Sequence, residues 1–262
     1  MKLTTFLPIA ACCLLLSCSF NRNKQTVSPE QAEREMLENA NDGEEVKKQS
    51  ADLNGDGKKD LIYACGYGEM TNIRVFLQTG DGYVESINTG CTSFTLLPAA
   101  AGNRQLQLIE NSGGESPFTS YRTFIFNGTS ARPVENYIVT NDDYTEGRIT
   151  VPPSLTDEPY CVKTPTDCNL RFSPDTDVFE NSSDIGFTLD MHTNIIAIVK
   201  AGIRLKVLSE LPAGERTWLY VEVEETSLEN SQVTDFDLIS SFNDHRHPSV
   251  RGWISNPLGV KN

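Results

Sequence analysis

The amino-acid sequence predicts an all-β protein, and three observations carry that expectation. From about residue 48 onward, apolar and polar residues alternate in short runs, which is the period of a strand with one buried face. The runs are separated by turn residues such as Thr79-Gly80-Asp81-Gly82 and Asn127-Gly128, where a hairpin needs positive backbone angles. No long helical period follows residue 45.

The chain begins with one basic residue, Lys2, an apolar run of 11 residues from Phe6 to Leu16, and then Leu15-Leu16-Ser17-Cys18. The run is well short of the ~20 residues a bilayer-spanning helix needs, and it has the layout of a secretory signal. A leucine three residues before the cysteine and a small serine just before it resemble the lipobox of bacterial lipoproteins. That resemblance implies a signal over residues 1–17, lipidation of Cys18 and attachment to a membrane through the lipid. The residue after the cysteine is Ser19, which in the Gram-negative family implies the outer membrane, facing the periplasm.

Residues 18–47 read as a lipidated tether with a short helix. Ser28 is placed to cap it, Pro29 to open it and Gln31 to close a capping box, with an end near Asn41-Asp42-Gly43. Ala32 and Met36 are its only apolar stripe, so the helix is expected to serve as a spacer rather than as core.

Residues 48–140 read as a small β-domain. Ile73 to Leu77 and Tyr83 to Ile87 flank one turn, and Tyr121 to Phe126 and Ala131 to Tyr137 flank another. Residues 52–60 run Asp-Leu-Asn-Gly-Asp-Gly-Lys-Lys-Asp. Oxygen side chains at positions 1, 3, 5 and 9 of a tight loop can converge on one hard cation, and a backbone carbonyl at position 7 adds a ligand. An EF-hand would need Glu at position 12, which is Tyr63 here. The segment from Ala51 to Leu61 resembles the calcium loop of FG-GAP and VCBS repeats. Carried over, the resemblance makes Asp52, Asn54, Asp56 and Asp60 side-chain ligands and Lys58 a carbonyl ligand of calcium. The loop occurs once, whereas a propeller repeats it.

Residues 141–160, rich in Asp, Thr and Pro, read as a linker to a second module over residues 161–262. There Asn169 to Asp177, Ile196 to Leu208, Trp218-Leu-Tyr-Val221 and Gly252-Trp253-Ile254 resemble, in order and spacing, the bacterial SH3-like (SH3b) domain. The resemblance implies a small barrel that binds peptidoglycan or a protein. Trp218 and Trp253 are each either core or part of a binding face. His245 and His247, in a polar insertion, read as solvated.

Besides Cys18, the exported chain would keep Cys65, Cys91, Cys161 and Cys168. An even number in an oxidising compartment suggests Cys65–Cys91 and Cys161–Cys168 disulfides, one in each half. Zinc is the competing reading, but neither pair forms a C-x-x-C knuckle or has a histidine nearby.

A net charge of −14 argues against nucleic acid as a partner, since its recognition needs a basic surface. No nucleophile motif or zinc-hydrolase motif is present, so a noncatalytic role is expected. The expectation is therefore an envelope lipoprotein that binds peptidoglycan or an envelope protein through its SH3-like domain, with a structural calcium site. The alternative is an inhibitor or immunity protein directed at a cell-wall hydrolase.

Overall fold

The computed structural model describes residues 26–39, 45–67, 70–80, 82–98, 104–111, 118–140, 150–176, 194–213, 216–231, 233 and 248–256. The signal, Cys18 and both histidines of the polar insertion lie outside these residues. The fold is all-β, as the alternating pattern predicts, with a single α-helix among the described residues.

In chain order the elements are β1 (Thr26–Val27), α1 (Pro29–Asn39), β2 (Val46–Ala51), β3 (Asp60–Tyr67), β4 (Met70–Thr79) and β5 (Gly82–Cys91). They continue with β6 (Ser93–Pro98), β7 (Arg104–Asn111), β8 (Phe118–Asn127), β9 (Ser130–Thr140), β10 (Tyr160–Lys163) and β11 (Cys168–Leu170). The last are β12 (Ala197–Val199), β13 (Arg204–Ala213), β14 (Arg216–Glu224), β15 (Leu228–Glu229) and β16 (Ser249–Asn256).

Three sheets result. One has the order β1-β5-β4-β3-β2, a second β10-β13-β14-β16-β9-β8-β7-β6, and a third β11-β12-β15. Both hairpins read from the sequence form: β4 pairs antiparallel with β5 and β8 with β9, and Gly128 takes a φ of 56° at the second turn.

The five-stranded sheet stacks on one half of the eight-stranded sheet. Alternate residues Ile62, Ile73, Val75, Leu77 and Ile87 meet Leu106, Leu108, Phe124 and Phe126 in a common core, the packing expected when two strand faces of period two are both apolar. The opposite face of the five-stranded sheet carries Leu61, Tyr63, Cys65 and Phe76, and α1 covers it with Ala32 and Met36. The expected spacer helix is thus part of the packed structure. Ser28 caps it, its Oγ accepting from the Gln31 N–H at 3.1 Å. Gln31's side chain reaches forward to Glu35 instead, so this bond does not close the capping box.

The division into two modules is also corrected. β16 runs parallel to β9, Ser249 opposite Tyr137 and Val250 opposite Ile138, so strands from both halves of the chain build one continuous sheet. The core beneath this junction joins Phe118 and Ile138 of the first half to Leu170, Val207, Val221, Val250 and Ile254 of the second. Nor is the described part of the 141–160 segment a free linker. Thr150 is buried, the Thr156 N–H donates to the Leu208 carbonyl at 2.7 Å, and the Ser209 hydroxyl donates to the Ser154 carbonyl at 3.0 Å.

The small sheet of β11, β12 and β15 closes over the same core. Arg171 and Trp253 exchange two backbone hydrogen bonds of 2.8 and 2.9 Å. This crossing accounts for the Gly-Trp-Ile sequence: a Cβ on Gly252 would stand 2.9 Å from the Arg171 carbonyl oxygen and 3.0 Å from side-chain atoms of Ile196 and Leu170. Only glycine leaves room for that close backbone approach.

Candidate functional site

The 52–60 loop connects β2 to β3 at one end of the sandwich. Gly55 and Gly57 have φ of 78° and 81°, a conformation that lets the backbone curl back on itself. Asp52 accepts from the Gly55 N–H through Oδ1 at 2.7 Å and from the Gly57 N–H through Oδ2 at 2.8 Å. Asn54 Oδ1 accepts from the Asp56 N–H at 3.1 Å, and Asp56 Oδ1 from the Lys58 N–H at 2.9 Å. The Lys58 ammonium stands 3.8 Å from Asp56 Oδ2.

Asp60 is fully buried and bolts the loop to the sheet. Its Oδ2 accepts from the Leu53 N–H and its Oδ1 from the Gln78 N–H, both at 2.8 Å. Burial pushes its carboxyl above the ordinary value, the two N–H bonds pull it back down, and the negative charges of Asp56 and Asp52 push it up again. Two further contacts join the loop to the eight-stranded sheet. Leu53, with no exposed surface, enters the core between the sheets, and the Asn54 amide donates to the Gly128 carbonyl at 2.9 Å. A fully buried leucine contributes about 1.5–3 kcal/mol, so the loop contributes to joining the two sheets.

All five predicted metal residues therefore lie in one tight loop, and the donor set fits calcium in its chemistry. It offers hard oxygens only, each accepting oxygen keeps a second lone pair beside its N–H bond, and the mutual repulsion felt at Asp60 is what a divalent cation relieves. Among the described residues no three acidic, histidine or cysteine side chains are gathered as a metal cluster. The oxygens are instead turned to backbone N–H groups.

Neither tryptophan is available to a ligand. Trp218 is 3% exposed and Trp253 0%, and both pack with Leu208 and Tyr220 in a small core of their own. The Trp253 ring lies 5.1 Å from that of Tyr220. The binding-face alternative for these residues is overturned because they point to the side of the sheet that the 150–156 segment covers.

The Cys65–Cys91 bridge is overturned as well. Cys65 on β3 sits opposite Asn72 of β4, while Cys91 on β5 sits opposite Thr71. A whole strand separates them, and because Asn72 and Thr71 are adjacent, the two thiols point to opposite faces. A disulfide needs Cα atoms within about 7 Å and converging Cβ vectors. Cys161 and Cys168 are also unbridged, lying on β10 and β11 in different sheets.

A surface that sequence reasoning missed lies on the outer face of the five-stranded sheet, beside α1. It is a groove of about 480 Å³ whose walls include Glu35, Met36, Met70, Asn72, Arg74 and Asn88. Arg74 is held by two carboxylates, Glu85 at 2.7 Å and Glu35 at 2.8 Å, and the bond from Arg74 holds the Glu35 carboxyl below its usual range. Asn72 and Asn88 are exposed. The signal for this groove was present in the sequence as polar residues at the outward positions of Met70-Thr-Asn-Ile-Arg74, but only the docking of α1 gives it walls.

Comparison with known proteins finds no family model that matches the chain, and no similar curated protein or solved structure.

Proposed function

We propose that this chain is a noncatalytic lipoprotein of the cell envelope, anchored in the outer membrane through acylated Cys18, that binds peptidoglycan or an envelope protein. The observation that carries the binding reading is the outer groove. Asp60 and both tryptophans are buried and hold the fold together, whereas Asn72 and Asn88 present exposed carboxamides in a walled depression. The 52–60 loop is proposed to hold a structural calcium, with Asp52, Asn54, Asp56 and Asp60 as side-chain ligands and Lys58 as a carbonyl ligand. Its position supports this role, since an ion there would stiffen the contact of the two sheets that Leu53 makes.

The test is affinity capture with the acylated-cysteine region removed and the remaining chain intact. Retention on purified sacculi, or capture of one envelope protein, is the expected result. Tight binding to a cell-wall hydrolase with loss of its activity would favour an inhibitor instead, and turnover of the wall would defeat the noncatalytic reading. The anchor is tested separately: Cys18→Ala should release the chain from membranes, and its persistence there in high salt would overturn lipidation.

A further inference from the structure

We infer that the groove on the outer face of the five-stranded sheet is a binding site for a neutral N-acetylated glycan, held by Asn72 and Asn88. This deepens the proposed wall-binding role and rests on it. The placement comes from strand register. Asn72 pairs with Gly90 and Arg74 with Asn88, so the two asparagines are diagonal neighbours on one face, separated by ~7 Å. That is the span of a sugar ring and its substituents. Each carboxamide offers both donors and an acceptor, which matches hydroxyl and acetamido groups better than it matches an ion.

Charge selects against the other polar ligands. The one cation among the groove's described lining residues, Arg74, is bracketed by Glu35 and Glu85 at 2.8 and 2.7 Å. These three groups together carry one net negative charge (+1 − 2), on a chain of net charge −14. A phosphate or an acidic peptide would meet this excess of negative charge with no free cation among the groove's described lining residues to receive it. The apolar wall is supplied by Met36 and Met70, flexible thioethers suited to packing on an acetamido methyl or the C–H face of a ring.

The floor is kept open at Gly90. A Cβ there would stand 3.3 Å from the terminal methyl of Met70, so a larger residue would fill the space and displace only the end of a flexible side chain. Gly90 itself lies in β5 without a positive φ, and a branched side chain is compatible with that backbone. This gives a way of blocking the groove that leaves the fold in place.

The experiment titrates the chain, complete from Ser19 onward, with a β-1,4-linked tetramer of N-acetylglucosamine by calorimetry, and in parallel measures its retention on purified sacculi. Wild type should bind the tetramer saturably, and a tetramer of glucose lacking the acetamido groups more weakly. Asn72→Ala with Asn88→Ala should weaken binding by about tenfold or more, the loss of at least one net hydrogen bond. Gly90→Val should remove it, with an unchanged circular dichroism spectrum. The site assignment is overturned if the tetramer does not bind, or if both variants bind it like wild type. If sacculi retain wild type and variants equally and the tetramer does not bind through these residues, wall binding survives and the glycan site falls. If the tetramer binds through these residues while sacculi do not retain the chain, the glycan site stands and wall binding falls.

Discussion

The indole N–H of Trp253 donates a 2.8 Å hydrogen bond to the carbonyl of Thr150, inside the protein and across 103 positions of sequence. It fastens the Gly-Trp-Ile strand to a segment that composition alone marks as a linker. Trp253→Phe should cost about 1–3 kcal/mol, because the buried carbonyl loses its donor. Trp253→Ala should cost ~3–5 kcal/mol, since it also leaves a cavity. Denaturant midpoints measure both. Acrylamide should quench the fluorescence of native protein poorly, and ready quenching would contradict the packing of Trp218 and Trp253.

Asp60 gives a prediction in which two effects oppose each other. Replacing a buried acid by a neutral amide removes a desolvated charge, yet asparagine has only one acceptor oxygen for the two N–H groups of Leu53 and Gln78. Asp60→Asn should therefore destabilise by about 1–3 kcal/mol in chelator, read from a urea midpoint. A gain in stability would show that the charge outweighs the bolt.

The pH dependence of the same residue has a definite sign. With its folded value raised above the ordinary 3.8, the native state holds this proton more tightly than the unfolded chain. The stability from Asp60 is complete below about pH 3.8 and is lost as pH rises through the folded value. Calcium binds the ionised form, so the thermal gain on adding calcium should be small in acid and grow toward neutrality. At a hundred times Kd the gain should be about 2.7 kcal/mol, and Asp56→Ala should abolish it. An unchanged melting temperature on chelation at neutral pH would overturn the metal assignment.

Thiol accessibility separates the cysteines. Cys161 is exposed and Cys168 partly covered, whereas Cys65 and Cys91 are buried. Burial raises the Cys91 thiol to about 11, with the charge of Glu110 pushing the same way and Arg122 opposing. Since the thiolate is the reactive form, iodoacetamide should label native protein at Cys161 first and leave Cys91 unmodified until unfolding. Peptide mapping without reduction should yield no Cys65–Cys91 peptide.

Cutting the chain should show how far its halves depend on each other. Residues 161–262 alone lack Phe118, Ile138 and Thr150, which respectively fill their core and accept the Trp253 bond. That fragment should show a noncooperative thermal transition, whereas residues 26–262 should unfold in one step. A sharp transition for the fragment would restore the two-module division.

What was legible in the sequence is what local chemistry encodes. Asn127-Gly128 marks its hairpin because the turn demands positive φ, and Ser28 marks the helix start because its hydroxyl serves an N–H three residues on. The strands read at Ile73 to Leu77 and Tyr83 to Ile87 also bear on the cysteines, since both lie between Cys65 and Cys91 in the chain, but only the sheet register puts β4 between the two thiols. The parallel pairing of β16 with β9 left no such trace, because a nonlocal ladder needs no special turn residue. The groove depends on α1 lying across a sheet, so its walls come from segments whose own patterns say nothing of each other.

The parallel seam has a consequence for how the molecule is assembled in time. A chain made from its N-terminus presents the outer edge of β9, with its unpaired N–H and C=O groups, well before Ser249 and Val250 exist to cover it. Contacts of such long sequence separation form slowly, and an uncovered strand edge is a template for other chains. Molecules stalled or cleaved before residue 249 should accordingly stick to one another through Tyr137 and Ile138, whereas in the folded chain β16 covers that part of the edge.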